Sequence, residues 1–400
     1  MLRGGFEIIL LVLPCAIRPR GAARQLHLSI QALSTFAQYA STIFTHDIQI
    51  TQDTESQSTV ADDSMVHLTK IRESNAQIDG ETAPRIAVFV GGTSGIGKIT
   101  LGAIAKLGTN FKAYVVGRKE SKAAFQLFIE ELHTANANAS VIWVEGQVTL
   151  LSEVKRICDY IKKLETSIDL LFLTTGYVPF FGRETTSEGL DISQVLEFYA
   201  RFCFTQNLLS LLRASDRARV ISVRAGGMET DWFFKPDDLL LEAPGAFGAM
   251  TTMIHMINMA TLSLERLAGM PENKNIVFIH AHPGSVRTGN LFRGFKEGSW
   301  GSWAAWMFMD PVIRIMTYRE EEAGERYVYQ ITSAAFGGKG VPLRGGVVEG
   351  KNTVGQKDGG LFLVWHTCET TLNEKALARL RVSAQDKVWA KTQEIVGPYA

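Results

Sequence analysis

Cysteine is scarce in this 400-residue chain: Cys15, Cys158, Cys203 and Cys368 stand far apart, with no C-x-x-C spacing. That excludes a disulfide framework and a thiolate zinc site, and it suits a reducing compartment, with the cytoplasm as the expected location. Net charge is missing too. Lys+Arg and Asp+Glu stand at 41 each, so nothing marks a nucleic-acid or anionic-membrane binder. No apolar run reaches the ~20 residues a membrane span needs. The nearest, Phe6–Ile17, carries Glu7 and is interrupted by Pro14. No repeat at solenoid periods is visible. What remains is 46% hydrophobic and 20% charged, the composition of an ordinary globular domain.

Residues 1–64 stand apart from the rest. Arg18, Arg20 and Arg24 lie in a stretch free of acids up to Asp47, and residues 47–64 are polar and linker-like. The segment reads as a disordered extension, as a targeting segment (a mitochondrial presequence being the alternative location), or as the result of a misassigned start, with Met65 the true one.

From Arg85 onward, short apolar runs alternate with helical periodicity. Six strands are expected: Ile86–Val90, Lys112–Val116, Ser140–Val144, Ile168–Leu173, Ala218–Val223 and Asn275–His280. Their unbroken apolarity is what a parallel strand covered on both faces requires. Between them, Val154, Ile157, Ile161 and Leu164 recur on one helical face. The expected fold is α/β: a doubly wound, Rossmann-type parallel sheet forming a single domain over residues 65–350. Residues 351–400 add a C-terminal segment whose amphipathic helix packs on the core or on a partner.

The most informative stretch is "VFVGGTSGIGKIT", Val88–Thr100. Gly91 ends the first strand at a sharp turn. Gly95 lets the main chain approach a pyrophosphate, and Gly97 lets the next helix pack close to the sheet. Helix amides then face the anion, with Thr93 and Ser94 adding hydroxyl donors. Arg118, after the second strand, falls about 20 residues beyond the last glycine, where a cation meets a ribose 2′-phosphate. A guanidinium there favours NADP over NAD.

The ordered set "GGTSGIG", "GR", "LFLTTG" and "HPGSVRTG" resembles the short-chain dehydrogenase/reductase family over about Arg85 to Gly350. Segments such as "TLGAIAKLG" and "DLLFLTTGY" resemble a fungal branch found among secondary-metabolite pathways. The resemblance implies that Gly91, Ser94, Gly95, Ile96 and Gly97 hold the pyrophosphate. Thr174, Thr175 and Gly176 would line the cofactor, Gln147 would stand where an Asp usually meets adenine, and Pro283, Gly284, Val286 and Thr288 would flank the nicotinamide carboxamide.

The family's Tyr-x-x-x-Lys is absent between Ser222 and His280. Within the helix expected at "AFGAMTTMIHM", the Tyr and Lys positions are Phe247 and Thr251. Ala225 stands at the serine position, and Glu197 aligns roughly with a supporting Asn. Phe cannot donate a proton, and Thr cannot depress a phenol pKa. Tyr177 and Ser222 are the candidate replacements. His255 is expected as a packed histidine, and His280 and His282, with no third ligand in view, make no metal site.

Trp300, Trp303 and Trp306 mark one helical face. It would serve as a substrate lid for a bulky apolar molecule, as a homodimer contact, or as a membrane-surface patch. The leading expectation is an NADP-dependent oxidoreductase acting on a carbonyl or alcohol of an apolar metabolite. The alternatives are an inactive NADP-binding regulator or scaffold, and a non-redox isomerase or cyclase.

Overall fold

The computed structural model describes residues 66–177, 179, 182–284, 318–345 and 347–400. Seven parallel strands run in the order β3-β2-β1-β4-β5-β6-β7. They are β1 (Ile86–Val90), β2 (Phe111–Gly117), β3 (Ala139–Glu145), β4 (Leu170–Leu173), β5 (Arg219–Val223), β6 (Val277–Ala281) and β7 (Gly360–Val364). The first six lie where the apolar runs put them, within a few residues at each end. The seventh falls in the stretch for which only a helix was expected, and it pairs with β6 through Phe278 and Leu361.

Helices cover both faces, as continuously apolar strands demand. On one face lie α1 (Leu68–Asn75), α2 (Gly95–Ala105), α3 (Lys122–Ala135) and α7 (Glu320–Thr332), packing Ile71, Leu101, Phe125 and Tyr327 onto Phe89, Phe172 and Ile279. On the other lie α4 (Leu151–Leu164), α5 (Ala200–Arg213), α6 (Ala249–Ala268) and α8 (Glu374–Val396). Their core joins Ile157, Phe204, Met256 and Leu380 to Val88, Leu171 and Phe278. Among the described residues no helix is long and apolar enough to cross a membrane.

The C-terminal helix α8 is part of this core. Asn373 caps it by accepting from the Ala376 amide. Ala376, Leu377, Leu380, Ala384 and Val388 form one buried stripe at three- to four-residue spacing. Arg381 grips Glu265 of α6 with two bonds, from Nε to Oε2 at 2.8 Å and from Nη2 to Oε1 at 2.5 Å. Leu380, 1% exposed, is the most informative truncation. Leu380→Ala should lower stability by about 3 kcal/mol in urea unfolding. A change within error would show that the helix is not part of the cooperative unit.

Two local departures matter for the site. Helix α6 begins at Ala249, with Gly248 extended before it (φ −173°). Phe247, expected one helical turn ahead of Thr251 on the same face, therefore stands outside the helix. Before α5 the backbone widens into a π-turn over Val195–Tyr199, and Glu197 sits in that turn. Such turns are frequent at functional sites.

Candidate functional site

The glycine loop lies at the carboxyl edge between β1 and α2. Gly91 has φ +95°, a left-handed conformation costly for other residues. A Cβ there would stand 2.6 Å from Thr174 Oγ1 and 2.8 Å from Thr175 N. At Gly97 it would stand 2.5 Å from Gly91 O and 2.9 Å from the Gly92 Cα. The loop, the start of α2 and the end of β4 are thus pressed together through main chain. Thr174 Oγ1 ties them by donating to Gly91 O at 3.1 Å. This is a cradle of backbone that a dinucleotide's diphosphate fits, because only bare glycines allow the approach.

At the end of β2, Gly117 is closed in by Thr93, whose methyl would lie 2.7 Å from a Cβ there, and by Trp143 of β3. Arg118 follows directly, with its side chain exposed and no ion pair among the described residues. Gln147 is likewise exposed, in the turn after β3.

After β4, Thr175 does something the sequence did not suggest. Its hydroxyl donates to Leu196 O at 2.8 Å, so it fastens the turn after β4 to the π-turn. Its carbonyl accepts from Arg201 Nε at 3.1 Å. Ser222 is 3% exposed, and its Oγ accepts from Arg201 Nη1 at 2.9 Å. The same nitrogen reaches Val223 O at 2.9 Å. One buried guanidinium therefore clamps the carboxyl ends of β4 and β5. Tyr177 is half-buried, and its hydroxyl donates to Glu184 Oε1 at 3.1 Å.

Next to this clamp lies a buried ion pair. Arg224, just past β5, bonds Glu197 Oε2 through Nη2. On β6, His280 is fully buried and shares a 2.8 Å bond with Thr261 Oγ1, which also lies 2.6 Å from Glu229 Oε1. Further along the edge, His282 stacks on Trp365 at 3.9 Å and accepts from the Gly284 amide at 3.1 Å. Pro283 and Gly284 follow shortly after the end of β6. Val286, Thr288, Trp300, Trp303 and Trp306 lie outside the described residues, as do residues 1–64.

The short chain dehydrogenase family model matches residues 85–233. An NmrA-like family domain-containing oxidoreductase of Aspergillus sp. (strain MF297-2) is 33% identical over 335 residues, 83% of this chain and 95% of that protein. An oxidoreductase of Emericella nidulans is 33% identical, covering 83% of this chain and 98% of its own. A short-chain dehydrogenase/reductase of Stachybotrys chartarum is 30% identical over 69% of this chain and 81% of its own. The chain belongs to the short-chain dehydrogenase family. It is an oxidoreductase by that membership.

No Tyr-x-x-x-Lys occurs between Ser222 and His280. Ala225 is buried, and Phe247 carries the Arg183 guanidinium over its ring at 4.7 Å. In the family a lysine cation lowers the phenol pKa. Here the Tyr177 phenol is pushed the other way, up to about 12, by burial and then by the Glu184 carboxylate. His255, 0% exposed, accepts the Lys235 amide at 3.0 Å and is a packed histidine, as expected.

Arg201, Arg224 and the Glu229–Thr261–His280 chain were not singled out from sequence. One signal was available: Arg201 is a charge in the otherwise apolar run "FYARFCF", a position that needs buried partners to be tolerated.

Proposed function

We propose that this short-chain dehydrogenase is NADP-dependent and acts on a carbonyl or alcohol of a bulky apolar metabolite in a fungal secondary-metabolite pathway, with a proton donor other than the family tyrosine. The observation that carries the cofactor choice is Arg118. It is exposed directly after β2, with no carboxylate paired to its guanidinium among the described residues. A side chain so placed suits a ribose 2′-phosphate and disfavours a free 2′-hydroxyl that needs an acid. Gly91, Ser94, Gly95, Ile96 and Gly97 would hold the diphosphate, Thr93 and Gln147 the adenosine end, and Gly176, Pro283 and Gly284 the nicotinamide end. Thr174 and Thr175 act one step back by fixing the turn after β4. The nicotinamide would supply or accept the hydride. The chain's own task is to exclude water, hold the substrate oxygen and manage its proton. The relatives named as fungal oxidoreductases support the pathway setting.

The test is a titration of purified protein with NADPH and NADH by nucleotide fluorescence, followed by NADPH consumption with aromatic and polycyclic ketones. Wild type should prefer NADPH. Arg118→Asp should reverse the preference by about 100-fold or more, the loss of a bidentate charged contact plus repulsion. Equal affinities in wild type would sink the NADP assignment. Tight NADPH binding without turnover would point to a regulator, and product formed without cofactor consumption to an isomerase or cyclase.

A further inference from the structure

We propose that Glu197 is the acid that stands in for the missing tyrosine, and that Arg224 holds the substrate oxygen. This rests on the oxidoreductase reading above and deepens it. Glu197 is 1% exposed, with Oε2 bonded to Arg224 while Oε1 has no hydrogen-bond partner. The Arg224 Nε has none either, although its side chain is only 15% exposed. Buried ion pairs are normally saturated with hydrogen bonds, because an open polar atom in a low dielectric is costly. One open carboxyl oxygen and one open N–H on adjoining groups are what a carbonyl oxygen about to receive a proton requires.

The placement agrees. Glu197 lies in the π-turn that Thr175 ties to the end of β4, and Arg224 directly follows β5, at the sheet edge where ligands bind in such folds. In the family a cation lowers a phenol; in this chain burial raises a carboxyl. The groups facing Glu197 are Arg224 after β5, Arg201 of α5, Asp191 ahead of the π-turn and the Tyr177 amide. On β6, His280 faces the two arginines. Burial outweighs the two cations and Asp191 adds to it, so the Glu197 carboxyl is raised above its ordinary value.

The step balances without further reagents. A bound reduced nicotinamide would supply the hydride for the new C–H bond at the carbonyl carbon, and the C=O π pair would withdraw onto oxygen. That oxygen takes the Glu197 proton, so one O–H bond forms as another breaks. The carboxylate left behind is neutralised by Arg224 and regains a proton from solvent.

The experiment compares wild type, Glu197→Gln, Arg224→Gln and the double variant. NADPH fluorescence titration reports the cofactor site, and infrared difference spectroscopy at neutral pH reports a protonated carboxylic acid. Turnover and its pH profile are read with the ketone panel. Glu197→Gln should keep NADPH affinity, lose one carboxylic-acid band, and lower kcat by roughly 100- to 10,000-fold. The fall of wild-type kcat at high pH should vanish from the residual activity. The double variant removes both members of the pair and leaves Arg201 on its neutral acceptors Thr175 O, Ser222 Oγ and Val223 O, so it should fold, yet it should stay as slow as Glu197→Gln. Recovery of turnover in the double variant would make the pair structural and overturn the proposal. So would a carboxylic-acid band unchanged in Glu197→Gln, a result that needs no substrate. Failure of wild type to bind NADPH would instead overturn the reading on which the proposal rests.

Discussion

Gly97→Ala should abolish NADPH binding, weakening it by about 100-fold or more, and should lower the melting temperature by several degrees. The added Cβ would stand 2.5 Å from Gly91 O and 2.9 Å from the Gly92 Cα. Both are main-chain atoms, so no flexible side-chain end can swing away. The third neighbour, Thr174 Oγ1 at 2.9 Å, already holds Gly91 O. Relief requires moving the start of α2 off the loop, which displaces the amides meant for the diphosphate and breaks the tie to β4. Overpacking of this kind costs about 1–3 kcal/mol in stability. A misplacement near 1 Å is enough for a loss of that size at a preorganised site. Gly102→Ala is the control. In the same helix, its Cβ would make only an ordinary 3.4 Å contact with Phe128. Gly102→Ala should stabilise the protein by about 0.5–1 kcal/mol and leave affinity untouched. If both variants bound NADPH like wild type, the glycine loop would not be the phosphate cradle.

The sequence carried the sheet and the cradle because both depend on local chemistry. A strand covered on two faces must be apolar throughout, as "LLFL" and "IVFI" are, and a close turn must be glycine. β7 escaped because five apolar residues between "QKDGG" and a polar turn have no signature until β6 is present as a partner. Phe247 was misplaced because Gly248 starts α6 late, a boundary fixed by one extended residue. The absence of Tyr and Lys was plain, but their surroundings were not. Whether Glu197, Arg201 and Arg224 are solvated or buried depends on how α5 seats against β5. Periodicity says nothing of that. Ser222 was a candidate replacement at a strand end, and only the tertiary structure shows its oxygen accepting from Arg201.

Acid should destabilise the protein through its buried histidines. Burial, first among the causes, holds His255 down to about 4 and His366 down to about 4, with Arg326 adding to the effect on His366. Each folded pKa lies below the ordinary value of 6.5, so the native state keeps both rings neutral while the unfolded chain takes up protons. Their contribution is complete above pH 6.5 and is lost progressively as pH falls toward 4. Each ring costs up to 1.36 kcal/mol per pH unit, so the two together reach about 2.7 kcal/mol per unit. His280, held to about 3, sits within one network with Glu229, whose own carboxyl is raised by burial, so a proton there is shared and largely cancels. Glu369 is also raised by burial and opposes the trend over part of the range. The histidine share is isolated by comparing slopes: urea unfolding of wild type and of His255→Gln/His366→Gln between pH 7.5 and 5. The wild-type slope should exceed the variant's by close to two protons near pH 5. His255 Nε2 accepts the Lys235 amide, so protonation at that nitrogen breaks a native bond. Parallel slopes would mean that both rings charge without leaving the folded state, and that the burial seen around them does not survive in solution.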